Sequence, residues 1–111
     1  MKKFLRGGQP KDVFISYATS WEISIKFGQG RIKLPDKPRE FVQSRILRSG
    51  WLHMPIELEH VLDVWRLPLI HRDPFDRLLV SQAQIEQIPI LSEDPAFKKY
   101  DVECITFSDL G

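Results

Sequence analysis

The sequence predicts an α/β protein with a mostly parallel β-sheet and helices on its faces. Two observations carry this prediction. Short apolar segments alternate with stretches of helical periodicity, and glycines, prolines and acidic caps punctuate the joins. Short strands separated by helices imply crossover connections, and crossovers produce parallel neighbours.

The elements follow in order. Asp12–Ser16, DVFIS, reads as a short apolar strand. Ser16 is placed to cap a helix whose apolar face collects Tyr17, Trp21, Ile25 and Phe27 and which stops at FGQGR, where Gly28 and Gly30 supply turn conformations. After IKLPDKP a second helix spans about Glu40 to Leu47 and ends at Gly50. Trp51–Ile56 is the next strand, closed by Pro55 and followed by the helix ELEHVLDVWRL, which ends before Pro68. The loop PLIHRD leads into the longest helix, roughly Pro74 to Gln87. IPILS as a strand, DPAFKKY as a short helix and VECITF as a strand complete the chain, and no internal repeat is present.

Composition narrows the class. At 111 residues the chain fits one domain, and 42% hydrophobic with 28% charged residues is a globular rather than a disordered balance. No apolar run is long enough to span a bilayer. MKKFLRGGQP is basic but lacks the apolar stretch of a secretory signal, so a cytoplasmic location is expected. A net charge of +1 gives no global field for nucleic acid, so any such contact must be local. The single cysteine, Cys104, cannot form an internal disulfide and reads as a small core residue.

Ligands of parallel sheets bind at the carboxyl ends of the strands, and that rule selects a few carboxylates. Asp73 and Asp76 open the longest helix, Glu93 and Asp94 follow IPILS, and Glu22 lies two turns beyond DVFIS. Each has a structural reading as well. Asp73 before Pro74, with Asp76 three residues on, is a capping signature, as is Asp94 before Pro95. Glu22 can pair with Lys26 one turn on. Yet at about 100° per residue Asp76 falls in the inward sector with Phe75, Leu78 and Leu79, away from Arg77 and Gln84. Several carboxylates at one sheet edge repel unless a cation lies between them, and oxygen ligands suit Mg²⁺ or Mn²⁺. Such an ion supports phosphodiester chemistry.

Other motifs are weaker. His53, His60 and His71 lack the spacing of a zinc site. His71 and Arg72 flank the acidic stretch, where a phosphate contact and a solvated loop are both open. Ser16, Ser20, Ser24 and Ser92 have no paired His/Asp motif. FGQGR follows a helix and lacks a phosphate-cradling pattern. Trp21, Trp51 and Trp65 read as core or partner-facing aromatics.

Three blocks, SWEISIKFGQGRIKLP, PLIHRDPFDRLLVSQA and IPILSEDPAFKKYDV, resemble the corresponding blocks of PIN-domain ribonucleases, in particular the VapC-like toxins of toxin–antitoxin pairs. The resemblance spans about Asp12 to Phe107 and treats residues 1–111 as a single PIN-like domain with an atypical segment at 1–11. It implies a three-layer PIN-like fold and Mg²⁺- or Mn²⁺-dependent endoribonuclease activity, in which a metal-activated water attacks RNA. It also implies inhibition by a small antitoxin protein. By the same resemblance Glu22, Asp76 and Asp94 are catalytic metal ligands, and Asp73 and Ser92 support them. The family opens with a central strand ending in an aspartate. Here MKKFLRGGQPK stands in that place, so an N-terminally truncated fold lacking that ligand is expected. Three readings follow: an impaired ribonuclease toxin, an inactive remnant that binds an antitoxin or another protein, or an assembly in which a second copy contributes a strand as a homodimer or swapped pair.

Overall fold

The structure, a computed structural model, describes residues 4–6, 13–70 and 73–106; Asp12, His71, Arg72 and Phe107 lie outside the described residues. Five strands form one sheet: β1 (Phe4–Arg6), β2 (Val13–Ser16), β3 (Leu52–Met54), β4 (Ile90–Leu91) and β5 (Cys104–Ile105). The helices are α1 (Tyr17–Gly28), α2 (Pro38–Ser49), α3 (Leu58–Leu62) and α4 (Pro74–Glu86), with 3-10 turns at Asp63–Arg66 and Pro95–Lys99. The strand order is β3-β2-β1-β4-β5. β2 pairs parallel with β3, β4 pairs parallel with β5, and β1 is antiparallel to both β2 and β4, so β2 to β5 share one direction. The predicted mostly parallel α/β sheet is therefore present. Among the described residues no helix is long and apolar enough to cross a membrane.

The middle of the sheet departs from the sequence reading, which assigned no element to residues 4–6. Phe4–Arg6 occupies the central position, reversed relative to the other four strands. Leu5 stands opposite Phe14 on one side and Ile90 on the other, and Arg6 N–H donates to Pro89 O at 3.0 Å. Three residues are too few to show a period in the sequence. Their assignment comes from the two inner edges, β2 and β4, whose N–H and C=O groups require partners.

Alternation along the strands separates two cores. Leu5, Phe14, Ile90 and Cys104, all in register, face a cluster with Leu79, Val80, Ala83 and Phe97. Phe4, Val13, Ile15, Leu91 and Ile105 face the opposite cluster with Ile23 and Val42. β1 thus feeds both cores from successive residues, and α4 covers one face while α2 covers the other. Cys104 packs against the first core, and burial pushes its thiol above the ordinary cysteine range despite the opposing charge of Lys98.

The helices also correct details of the sequence reading. α1 does not bury Tyr17 and Trp21, which are 47% and 56% exposed; its inward face is Ala18, Thr19, Glu22 and Ile23. Arg77 is buried rather than on a polar face, and its guanidinium donates to Pro68 O at 2.8 Å and to Val64 O and Leu67 O at 3.3 Å. These bonds tie the turn before α4 to the helix itself. Gly50 and Gln87 end α2 and α4 in the left-handed region, at φ 71° and 57°. Gln87 takes a conformation that ordinarily favours glycine.

Because Leu5 is fully buried between two strands, Leu5→Ala should lower stability by about 3 kcal/mol, read as a shift of the urea midpoint. An unchanged midpoint would show that β1 contributes nothing to the sheet.

Candidate active site

The site is organised by the packing of α1 on α4. Ser16, the N-cap of α1, accepts from Ala18 N–H at 3.0 Å and donates its own hydroxyl proton to Gln82 Oε1 at 2.5 Å. Five residues further along α1, the Trp21 ring meets Phe75 edge-on with centroids 4.9 Å apart. As numbering rises in α1 it falls in α4, so the helices are antiparallel. Glu22 and Asp76, each next in sequence to one of these rings, therefore lie within one helical turn of each other along the interface.

Both acids are buried, Glu22 at 0% and Asp76 at 1% exposure. The expected Glu22–Lys26 pair exists, with Lys26 Nζ donating to Glu22 Oε2 at 2.7 Å. The pair is largely withdrawn from solvent, with the Glu22 side chain 1% and the Lys26 side chain 24% exposed. A carboxylate out of water needs positive charge or donated hydrogen bonds, and Lys26 supplies both.

The remaining candidates fall into distinct places. Asp73 is the N-cap of α4 and accepts from Phe75 N–H at 2.9 Å, which fixes the turn that delivers Asp76. Asp94 follows β4 and caps the 3-10 turn Pro95–Lys99, accepting from Ala96 N–H at 2.9 Å. Ser92 is buried, and its Oγ accepts from Asp94 N–H at 3.1 Å, holding the turn that presents Asp94. Since β2 and β4 share a direction, α1 and this turn start from the same sheet edge. Among the described residues, Glu22, Asp76 and Asp94 do not form a group of three ligand oxygens within 4.8 Å of one another.

The chemistry of the donor set fits a hard divalent cation. Two buried carboxylates come from adjacent helices, a third follows β4 at the sheet edge where α1 starts, and all donors are oxygens. β1, being Phe4–Arg6, adds no carboxylate.

The sequence reading missed a second cluster. Glu59, His60 and Glu86 each bring a ligand atom within 4.8 Å of the others. The hydrogen bonds argue against a metal there. Glu57 N–H donates to His60 Nδ1 at 2.9 Å, so the imidazole proton sits on Nε2 and is donated to Glu86 Oε2 at 2.8 Å. Neither ring nitrogen keeps a lone pair for an ion. His60 is instead a buried brace: Ser81 Oγ donates to His60 O at 2.6 Å, and Gln82 Nε2 donates to Pro55 O at 3.2 Å. A signal existed in LLVSQA, where polar Ser81 and Gln82 interrupt an apolar run in a helix whose residues 76–83 are all buried.

Gln82→Leu should therefore destabilise the fold by about 2 kcal/mol, because it leaves the Ser16 hydroxyl and Pro55 carbonyl without this partner. Lys26→Met, measured in EDTA, is expected to cost a similar amount, about 2 kcal/mol, through the buried Glu22. Equilibrium urea unfolding measures both, and losses below a few tenths of a kcal/mol would contradict these assignments.

Neither the curated proteins nor the solved structures give a significant match to this chain. The PIN domain family profile matches residues 1–103, starting in the segment that contains the reversed strand and running through the acidic residues of α1, α4 and the turn after β4. With nearly the whole chain matched and the α/β sheet in place, this protein belongs to the PIN domain family.

Proposed function

We propose that the chain is a metal-dependent endoribonuclease, the VapC-like toxin of a toxin–antitoxin pair, acting in the cytoplasm on RNA phosphodiester bonds. The observation that carries this reading is the pair of buried carboxylates, Glu22 and Asp76, within a turn of each other along the α1–α4 interface. Family membership supports nuclease chemistry. Glu22, Asp76 and Asp94 would hold Mg²⁺ or Mn²⁺. When bound, the ion supplies an activated water and offsets charge on the phosphate. The chain's own residues position that chemistry: Lys26 orients Glu22, Asp73 sets the start of α4, and Ser92 shapes the turn carrying Asp94.

The proposed partners are RNA, a small antitoxin and a second copy of the chain as a homodimer or strand-swapped assembly. His71 and Arg72 are proposed phosphate contacts.

A second reading has its own support. β1 brings no carboxylate to the sheet centre, and Leu58, Val61, Leu62 and Trp65 expose an apolar stripe at helical spacing. These features favour an inactive PIN domain that binds an antitoxin or another protein through its surface.

Cleavage of labelled RNA by the purified protein tests the first reading. Activity should require Mg²⁺ or Mn²⁺, vanish in EDTA, and fall to that background in Asp76→Asn and Glu22→Gln. A folded assembly that leaves RNA intact yet binds a co-encoded antitoxin would establish the second reading instead.

A further inference from the structure

Helix α1 lines a cavity on the side away from Glu22. The cavity, of about 310 Å³, opens between α1, α2 and β3, and its lining includes Tyr17, Ser20, Ser24, Arg39, Gln43 and His53. We propose that this cavity is a nucleotide subsite for single-stranded RNA, holding a residue that flanks the bond to be cut. The inference rests on the ribonuclease reading above and adds where the substrate strand lies.

The lining has the chemistry for it. Among the described residues no carboxylate lines the cavity, while Arg39 brings a guanidinium for a phosphate and the serines, Gln43 and His53 bring hydrogen-bonding groups. Ser20 Oγ is buried and has no hydrogen-bond partner among the described residues, so a polar atom in the lining is left for a ligand. Tyr17 is 47% exposed and meets His53 in an edge arrangement, centroids 5.6 Å apart. A half-exposed aromatic ring is the usual platform for an unpaired base.

The position relative to the acids follows from helix geometry. At about 100° per residue, Ser20 and Ser24 lie about 160° around α1 from Glu22, and Trp21 lies about 100° away, between the two faces. Trp21 is 56% exposed and packs its ring against Phe75, the neighbour of Asp76. A strand crossing α1 from Tyr17 over Trp21 toward the α1–α4 seam that holds Glu22 and Asp76 therefore meets aromatic surface along its path. The crossing is about one helix diameter, ~10 Å, within reach of a few nucleotides. The low net charge of the chain is consistent with such a local site.

The test is binding of a short fluorescein-labelled single-stranded RNA, by anisotropy, to the full-length Asp76→Asn protein. Adding Tyr17→Ala or Arg39→Ala should weaken binding about tenfold, and Arg39→Ala should also lower the salt dependence by about 0.7 in log–log slope. Arg48→Ala, at the far end of α2, should leave affinity unchanged. If RNA binds but Tyr17→Ala and Arg39→Ala behave like Arg48→Ala, the subsite is overturned and the ribonuclease reading stands. If Asp76→Asn does not bind RNA, both fall. Reduced affinity for the antitoxin alone would assign the cavity to the protein partner and overturn the subsite. Amide shift mapping of the unmutated protein with AMP is independent of variant folding: shifts centred on Tyr17, Ser20, Arg39 and His53 support the proposal, and shifts elsewhere refute it.

Discussion

The hydrogen bond from Ser16 to Gln82 sets the register of α1 on α4, and the candidate site depends on that register. Ser16 ends the strand β2 and caps α1, so a single side chain joins sheet, helix start and neighbouring helix. Sliding α1 by one residue on α4 would turn it by about 100° and carry Glu22 away from Asp76. Gln82 is itself held by Pro55 O and stands beside His60, whose ring is bonded to Glu57 and Glu86. Ser16, His60 and Gln82 are buried, and among buried groups satisfied hydrogen bonds specify one arrangement more sharply than apolar contacts do.

The reversed central strand is the other distinctive constraint. β2 and β4 point the same way and are held apart by β1, which pairs with both. Reversal preserves the side-chain alternation, so Phe4 and Leu5 still supply opposite cores. It changes the chemistry at the carboxyl edge. Phe4, the amino end of β1, lies at that edge and pairs with Leu91 near the end of β4. Among the described residues, the carboxylates near this edge come from the elements around β1.

Charge is handled locally throughout. Arg77 is buried against three carbonyls, the buried Glu22 is held by Lys26, and His60 is buried against Glu86, each with bonds that replace lost water. The exposed face of α1 has the opposite character, with two aromatic rings in solvent. One helix thus presents a carboxylate inward and half-exposed aromatic rings outward.

Much of the fold was legible in the sequence because its signals are local. Ser16, Asp73 and Asp94 act as the caps their neighbours suggest, Gly50 ends α2, and short apolar segments became β2 to β5. The inward direction of Asp76 and the Glu22–Lys26 spacing were also readable, since both follow from helical period. What the tertiary structure alone decided is non-local. Phe4–Arg6 becomes a strand because two distant strands leave a slot for it, and Trp21 turns outward because α4 claims the face carrying Glu22. The proton on His60 is assigned by Glu57 and Glu86, which no spacing rule would join. Local propensity names the elements; only the pairing of distant surfaces determines which side chains they bury together.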